Sequence, residues 1–166
     1  MTSYQEILDV VDLQDNIISK APRDYVHNNL LMHRSSHILL FNFRDELFLQ
    51  KRSLNKDECP GLWDASAAGH VESGEDYLHC AHRELEEELG VTHIILNKIM
   101  CLPAQEKTFL EHIYVYKCIT GSEITINKDE ISEGRFWDLP LINQSIHKNA
   151  TIFTPTFKII FKNLIK

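Results

Sequence analysis

From Ser35 to Ser53 the chain alternates as a hairpin does. An apolar run reaches Phe43, a polar turn carries Arg44 and Asp45, and then Leu47 and Leu49 alternate with Phe48 and Gln50. Strand side chains point to opposite faces with a period of two, so this stretch predicts two paired strands. Upstream, "EILDVVDLQDNIISKA" predicts two short strands around the polar turn "LQDN". "PRDYVHNNLL" predicts a short helix with Pro22 in its first turn. Downstream, "NKDECPGLWDASAAG" reads as a loop turning at Pro60-Gly61, then a strand of small residues. A helical period takes over from about Asp76 to Leu89, with Gly90 as its stop. "THIILNKIMCL" and "LEHIYVYKCI" read as strands, and "EGRFWDLP" as a shorter one ended by Pro140. "FTPTFKIIFKNLIK" predicts a closing helix with Thr154 as N-cap and Pro155 at N1. Strands and helices mix without a strict βαβ repeat, which predicts an α+β fold: a mixed β-sheet covered by helices.

The helix from Asp76 carries an unusual charge run, "RELEEEL". At about 100° per residue, Glu84, Glu87 and Glu88 share one face, while Glu86 points elsewhere. Leu78, Ala81, Leu85 and Leu89 form an apolar stripe expected to face the core, so the acidic face lies beside the core rather than opposite it. Charge runs are usually solvated faces. Here, however, like charges at i, i+3 and i+4 repel by roughly 0.2–0.5 kcal/mol per pair, and Arg83 is the one nearby cation. Three carboxylates on one edge fit a hard divalent cation such as Mg²⁺ or Mn²⁺. Ser73 with Asp76 three residues on resembles a capping box. The glycines Gly69 and Gly74 before the helix suit the approach of an anion. Together these features predict a phosphate compound bound through metal.

Composition narrows the classes. The chain has 166 residues, 43% apolar and 25% charged, which predicts one domain over residues 1–166. A net charge of −7 disfavours a nucleic-acid polymer as partner. Cys59, Cys80, Cys101 and Cys118 form no CxxC pair, which disfavours a zinc knuckle or a disulfide scaffold. "MTSYQEILDVVD" has neither the basic nor the apolar region of a secretory signal, and no apolar run approaches the roughly 20 residues that span a bilayer. The expectation is a cytoplasmic protein with no membrane partner; oligomeric state is open.

The stretch Gly69–Val91 resembles the Nudix box: G, five residues, E, seven residues, then R-E-aliphatic-x-E-E-x-G-aliphatic. Gly69, Glu75, Arg83, Glu84, Leu85, Glu87, Glu88, Gly90 and Val91 meet every specified position. The segments before the box, above all "LMHRSSHILLFNFRDELFLQKRS" and "CPGLWDASAAGHV", are similar to the isopentenyl-diphosphate-isomerase-like branch of that family. The resemblance implies a mixed sheet sandwiched between helices, with the box as loop–helix–loop. It implies Mg²⁺ or Mn²⁺ on Glu84, Glu87, Glu88 and the Gly69 carbonyl, with Arg83 orienting a glutamate and Glu75 a structural tie. The implied reaction is hydrolysis of a diphosphate linked to another moiety, with water attacking phosphorus in line. A box glutamate, Glu87 foremost, or a later carboxylate (Glu111, Glu130 or Glu133) is the implied base.

The branch also contains true isomerases, which need an acid and a base on opposite faces of an allyl unit. Their catalytic cysteine would stand where this chain has Ala68, which argues against isomerase activity. His33 and His70 fall on metal-site positions of that branch, and Glu111 matches its metal-linked glutamate. A further histidine is expected where Val26 stands, His27 being one place late, and a second glutamate where Phe109 stands, so this second metal or phosphate site reads as incomplete. Such a nitrogen-rich set suits Zn²⁺ or Mn²⁺. His79, His82, His93, His112 and His147 show no ligand-like grouping. Trp63 and Trp137 read as packing residues before pocket walls, and Lys51 and Arg52 as strand-end cations within possible reach of phosphate. A non-catalytic nucleotide sensor is the third reading, which the intact box disfavours.

Overall fold

The computed structural model describes residues 5–166; residues 1–4, part of the stretch read as lacking a secretory signal, lie outside it. β1 (Ile7–Val11) and β2 (Ile17–Pro22) form the expected antiparallel pair. Their turn closes at Asp15, whose φ is +66°, and is pinned by Asp12 Oδ1, which accepts from the backbone N–H groups of Gln14 and Asn16, each at 2.9 Å. α1 (Arg23–Asn28) follows, with Pro22 as its N-cap. β3 (His33–Phe41) and β4 (Leu47–Arg52) are the predicted hairpin; Phe43 falls in the turn and is exposed. β5 (Trp63–Asp64) and β6 (Ala67–His70) come next, then α2 (Tyr77–Leu89). β7 (Asn97–Leu102), β8 (Glu111–Ile119) and β9 (Ile131–Trp137) complete the strands. α3 (Leu139–Lys148) and α4 (Pro155–Leu164) end the chain.

The main sheet runs β5-β4-β3-β8-β7, with β6 also on β3 and β9 also on β4. It is mixed: β3 lies parallel to β8 over nine residue pairs, from His33↔Glu111 to Phe41↔Ile119, and antiparallel to β4 and β6. The period-two pattern now has its physical reason. Ile38 and Leu40 face one core with Ala81, Leu85 and Leu89 of α2. Leu39 and Phe41 face the other with Phe157, Ile160 and Phe161 of α4 and Ile142 of α3. The sheet is thus sandwiched between helices, and each large apolar side chain so buried contributes about 1.5–3 kcal/mol. No helix among the described residues is long and apolar enough to cross a membrane.

Three local expectations need correction. Asp76, not Ser73, caps α2: its side chain accepts from the His79 N–H at 2.8 Å, while the Ser73 N–H donates to the Ile7 carbonyl at 2.7 Å. Leu78 is 42% exposed, because Tyr77 takes the inner position, stacking on Tyr114 at 3.8 Å and donating its hydroxyl to Asp15 at 2.9 Å. Pro140 does not close a strand into loop; it sits in the first turn of α3, where its missing N–H has no helical partner to lose. The cap of α4 is as predicted, with Thr154 Oγ1 accepting from the Phe157 N–H at 3.1 Å.

Candidate active site

A cavity of about 490 Å³ opens between β6, the outer face of α2 and the segment after β4. Gly69, Arg83, Glu84 and Glu87 line it together with Ala68, His70 and Glu111. β6 reaches the cavity because it pairs with β3 (Ser36↔Gly69, His37↔Ala68), and α2 packs its inner stripe over the same strands. The turn of chain between them brings Gly69 under Glu84. A Cβ on Gly69 would stand 1.9 Å from Glu84 Oε1, so only glycine admits that carboxylate.

Arg83 holds the box together. Its Nε and Nη2 donate to the two oxygens of Glu75 at 3.0 and 2.9 Å, and Nη1 donates to Glu84 at 2.6 Å and Glu87 at 3.3 Å. Nη2 also donates to the His70 carbonyl at 3.0 Å, tying α2 to β6. A guanidinium is the one side chain that can make this fork. Burial disfavours its charge, but Glu75 and Glu84 outweigh that and hold it more firmly protonated than usual. The tie expected of Glu75 is therefore present; its second oxygen also accepts from the Glu72 N–H.

Glu88 sits behind the cavity wall, only 2% exposed. Its Oε2 accepts from Gln50 Nε2 at 2.8 Å and the Ala68 N–H at 3.0 Å. Burial, with the charge of Glu84 beside it, pushes its carboxyl up to about 8; burial likewise raises Glu84, against the pull of Arg83. These carboxylates crowd one another, and Arg83 offsets only part of that charge, reaching Glu84 and Glu87 but not Glu88. An all-oxygen set of that kind fits a hard divalent ion, and at Gly69 the missing Cβ leaves the space that the Glu84 carboxylate occupies. Glu130 approaches the cluster from the β9 side, ion-paired with Lys56, whereas Glu133 pairs with Lys51 in the β4–β9 register and does not line the cavity.

A second cluster lies beside the first. One ring nitrogen each from His27, His33 and His70 falls within 4.8 Å of the others. The Nε2 atoms of His27 and His33 are buried without a partner. Glu111 Oε1 lies 3.8 Å from His33 Nε2 and 3.6 Å from His70 Nε2, brought there by the parallel β3–β8 register. Glu111 is itself fixed: Ser35 Oγ donates to it at 2.6 Å, and His37 Nε2 is 3.9 Å away. Burial alone would raise its carboxyl, yet His37 and His70 hold it well below the usual range. Burial pulls His33 down to about 4. In His70 the same effect is outweighed by Glu111 and Glu6, which push the ring up to about 9. Of the two places that read as missing, His27 brings a histidine to the first. Val26, at the expected position, is wholly buried against Leu8 and Val10 instead. Phe109 does leave the second glutamate place without a carboxylate; it lines the cavity.

His37, Glu6 and Glu58 belong to this neighbourhood and were not reached by motif spacing. Glu6 Oε1 is 3.1 Å from His70 Nδ1, and Glu58 Oε1 is 3.0 Å from His27 Nδ1. Other residues singled out lie outside it. Trp63 and Trp137 pack edge-to-face in the core at 5.1 Å. His79 pairs with Asp76 at 2.8 Å, His112 Nε2 bonds the Asp12 carbonyl at 3.0 Å, and His147 Nδ1 the Asn143 carbonyl at 2.7 Å. Arg52 lines the cavity, bound to the Glu58 carbonyl at 2.9 Å, but Lys51 does not.

Comparison with known proteins gives the family and the fold. Residues 31–157 match the NUDIX domain. The chain is 37% identical over 134 residues to an uncharacterized Nudix hydrolase of Pseudomonas aeruginosa, covering 81% of this chain and 79% of that one. It is 32% identical over 166 residues to a Photorhabdus laumondii protein named isopentenyl-diphosphate Delta-isomerase 2, covering 96% and 92%. A crystal structure of a Deinococcus radiodurans protein superposes with a TM-score of 0.77 at 24% identity, covering 87% of this chain and 90% of that one, a likeness of fold. With the box intact on its loop and helix, and the match extending over most of the chain, the protein belongs to the Nudix family of divalent-metal-dependent hydrolases that cleave diphosphate bonds.

Proposed function

We propose that the protein, as one Nudix domain over residues 1–166, hydrolyses the diphosphate bond of a nucleoside-diphosphate-linked or related small molecule. Mg²⁺ or Mn²⁺ would be held by Glu84, Glu87, Glu88 and the Gly69 carbonyl. The observation that carries this reading is the Gly69–Glu84 contact, in which a carboxylate occupies the space a Cβ would fill and Arg83 keeps it there at 2.6 Å. The ion, when bound, supplies positive charge to the diphosphate oxygens and lowers the pKa of water. Arg83 aims Glu84. Glu87, half-exposed on the cavity wall and paired with Arg83 at 3.3 Å, is the carboxylate placed to take the proton as water attacks phosphorus in line. Arg52, which lines the cavity and is ion-paired with Asp64 at 3.6 Å, offers a cation to the substrate phosphates. His33 and His70, with His27 and Glu111, form a second ion site whose nitrogen donors suit Zn²⁺ or Mn²⁺. Glu111 serves the chemistry by holding that site beside the cavity. The acidic net charge and the free cysteines support a small-molecule substrate and a cytoplasmic setting.

The test is product release over a panel of diphosphate compounds with Mg²⁺, isopentenyl diphosphate included. Glu87→Gln is expected to lose about 10²–10⁴-fold in rate with its melting temperature unchanged. Full activity in that variant removes Glu87 from the reaction. The isomerase reading draws on the name of the Photorhabdus relative and on the histidine cluster. Ala68 opposes it: its methyl group has no proton to transfer, and its N–H is committed to Glu88. Conversion of isopentenyl to dimethylallyl diphosphate by the wild type would overturn the hydrolase reading.

A further inference from the structure

We propose that Glu58 is a positioning residue for the three-histidine centre, and that through it an ion bound there fixes the wall of the cleft formed by residues 53–62. The proposal rests on reading that cluster as a second ion site. An imidazole that ligates through one nitrogen must carry its proton on the other, so the acceptor facing that other nitrogen chooses the tautomer. All three rings meet an oxygen at Nδ1: the Leu31 carbonyl at 2.9 Å from His33, Glu6 at 3.1 Å from His70, and Glu58 at 3.0 Å from His27. In His27 and His33 the Nε2 is thereby left with its lone pair, whereas that of His70 faces Glu111 at 3.6 Å and must give up its proton to an incoming ion. Those of His27 and His33 are buried and have no other partner. His33 is 1% exposed, so its Nε2 is shut off from bulk solvent, with Glu111 3.8 Å away.

The three acceptors differ in where they come from. The Leu31 carbonyl is two residues from His33, and Glu6 is braced by Arg23 at 3.5 Å. Glu58 alone arrives on the loop between β4 and β5. That loop also sends Asp57 to Arg23 at 3.1 Å and Lys56 to Glu130, beside the box glutamates. An ion on His27 Nε2 fixes that ring, and the ring's Nδ1–H then holds Glu58 and the loop behind it. Orienting carboxylates of this kind change metal affinity by about 10–100-fold.

The experiment titrates the full-length protein, in saturating Mg²⁺, with Co²⁺ as a visible probe and Zn²⁺ as competitor, and follows amide exchange in residues 54–59 with and without Zn²⁺. The wild type is expected to bind Co²⁺ at a site lost in His33→Ala. Glu58→Ala is expected to weaken it about 10–100-fold, and Glu58→Gln, which keeps an acceptor oxygen, to recover part of that loss. Zn²⁺ should slow exchange at 54–59 in the wild type and not in Glu58→Ala. A wild type with no Co²⁺ site sensitive to His33→Ala overturns the second ion site and the proposal with it. Equal affinity and equal protection in wild type and Glu58→Ala leave the site standing and overturn the role of Glu58. Should Glu58→Ala melt early in EDTA, Glu58→Met, which keeps the length of the side chain and no acceptor oxygen, decides: affinity and protection equal to wild type's overturn the role, and a loss of both upholds it.

Discussion

Replacing Gly69 by alanine should separate the stability of this protein from its chemistry. The backbone tolerates the change, since Gly69 is not among the residues with positive φ. The added Cβ, however, would lie 1.9 Å from Glu84 Oε1 and 2.1 Å from its carboxyl carbon. Ordinary contact begins near 3.4 Å, so the carboxylate must retreat by 3.4 minus 1.9, or about 1.5 Å. The obstacle is the far end of a flexible side chain, so retreat is cheap. It weakens one partly exposed ion pair with Arg83, worth about 1 kcal/mol or less, while Glu75, Glu87 and the His70 carbonyl still hold the guanidinium. In a chain of this size that is a drop of about 2–4 °C in melting temperature. The same movement is large against a coordination distance of about 2.0–2.1 Å for Mg²⁺. A misplacement of about 1 Å can cost about 10²-fold in rate, or roughly 2.7 kcal/mol of barrier. Free Mn²⁺ measured by electron paramagnetic resonance reads the binding without any substrate, and hydrolysis of the best compound in the panel reads the rate. Gly69→Ala that binds Mn²⁺ and turns over as the wild type does would refute both the cradle and the role of Glu84. A melting temperature lowered by far more than a few degrees would refute the claim that the carboxylate simply moves aside.

Two further substitutions probe the same helix. Glu88→Gln removes a carboxyl that burial and Glu84 hold up at about 8, which costs stability at any pH above the ordinary carboxylate range, and keeps an oxygen for Gln50 and the Ala68 N–H; at pH 7–8 in EDTA it should melt above the wild type, by about 2–4 °C per kcal/mol recovered, and it should lose the rise that Mg²⁺ gives the wild type. Lower stability than wild type in EDTA would count against electrostatic crowding. Gly90→Ala places a side chain in the left-handed cap of α2, where φ is +66°; urea unfolding should show a loss of about 1–2 kcal/mol with hydrolysis at 25 °C retained, because Gly90 lies outside the cavity. An activity loss larger than the stability loss would mean that the cap also sets the glutamates.

The parts of this molecule that follow one local period were legible from the chain alone: the β3–β4 hairpin, the span of α2 to Gly90, the Thr154 cap, and the glutamates one turn apart. Contacts set by register were not. His37 stands beside Ala68, and Glu111 beside His33, only because β6 and β8 flank the same strand, and no spacing along the chain encodes which strands become neighbours; in the sequence the family resemblance alone links Glu111 to His33 and His70. Glu6 and Glu58 enter the histidine cluster from two loops and strands apart for the same reason. His27 is the instructive case. Counting from His33 pointed to residue 26, yet a step of one residue on a helix turns a side chain by about 100°, so positions 26 and 27 cannot both face the cluster. Which one does is decided by the apolar side of α1, and the only large aliphatic side chain in "RDYVHN" is Val26, which must turn toward Leu8 and Val10. That burial swings His27 onto the other wall, under His33 and His70 at ring distances of 4.9 Å each. The phase of a short helix, read from where its one aliphatic residue must go, locates the third histidine where a count of positions places a valine.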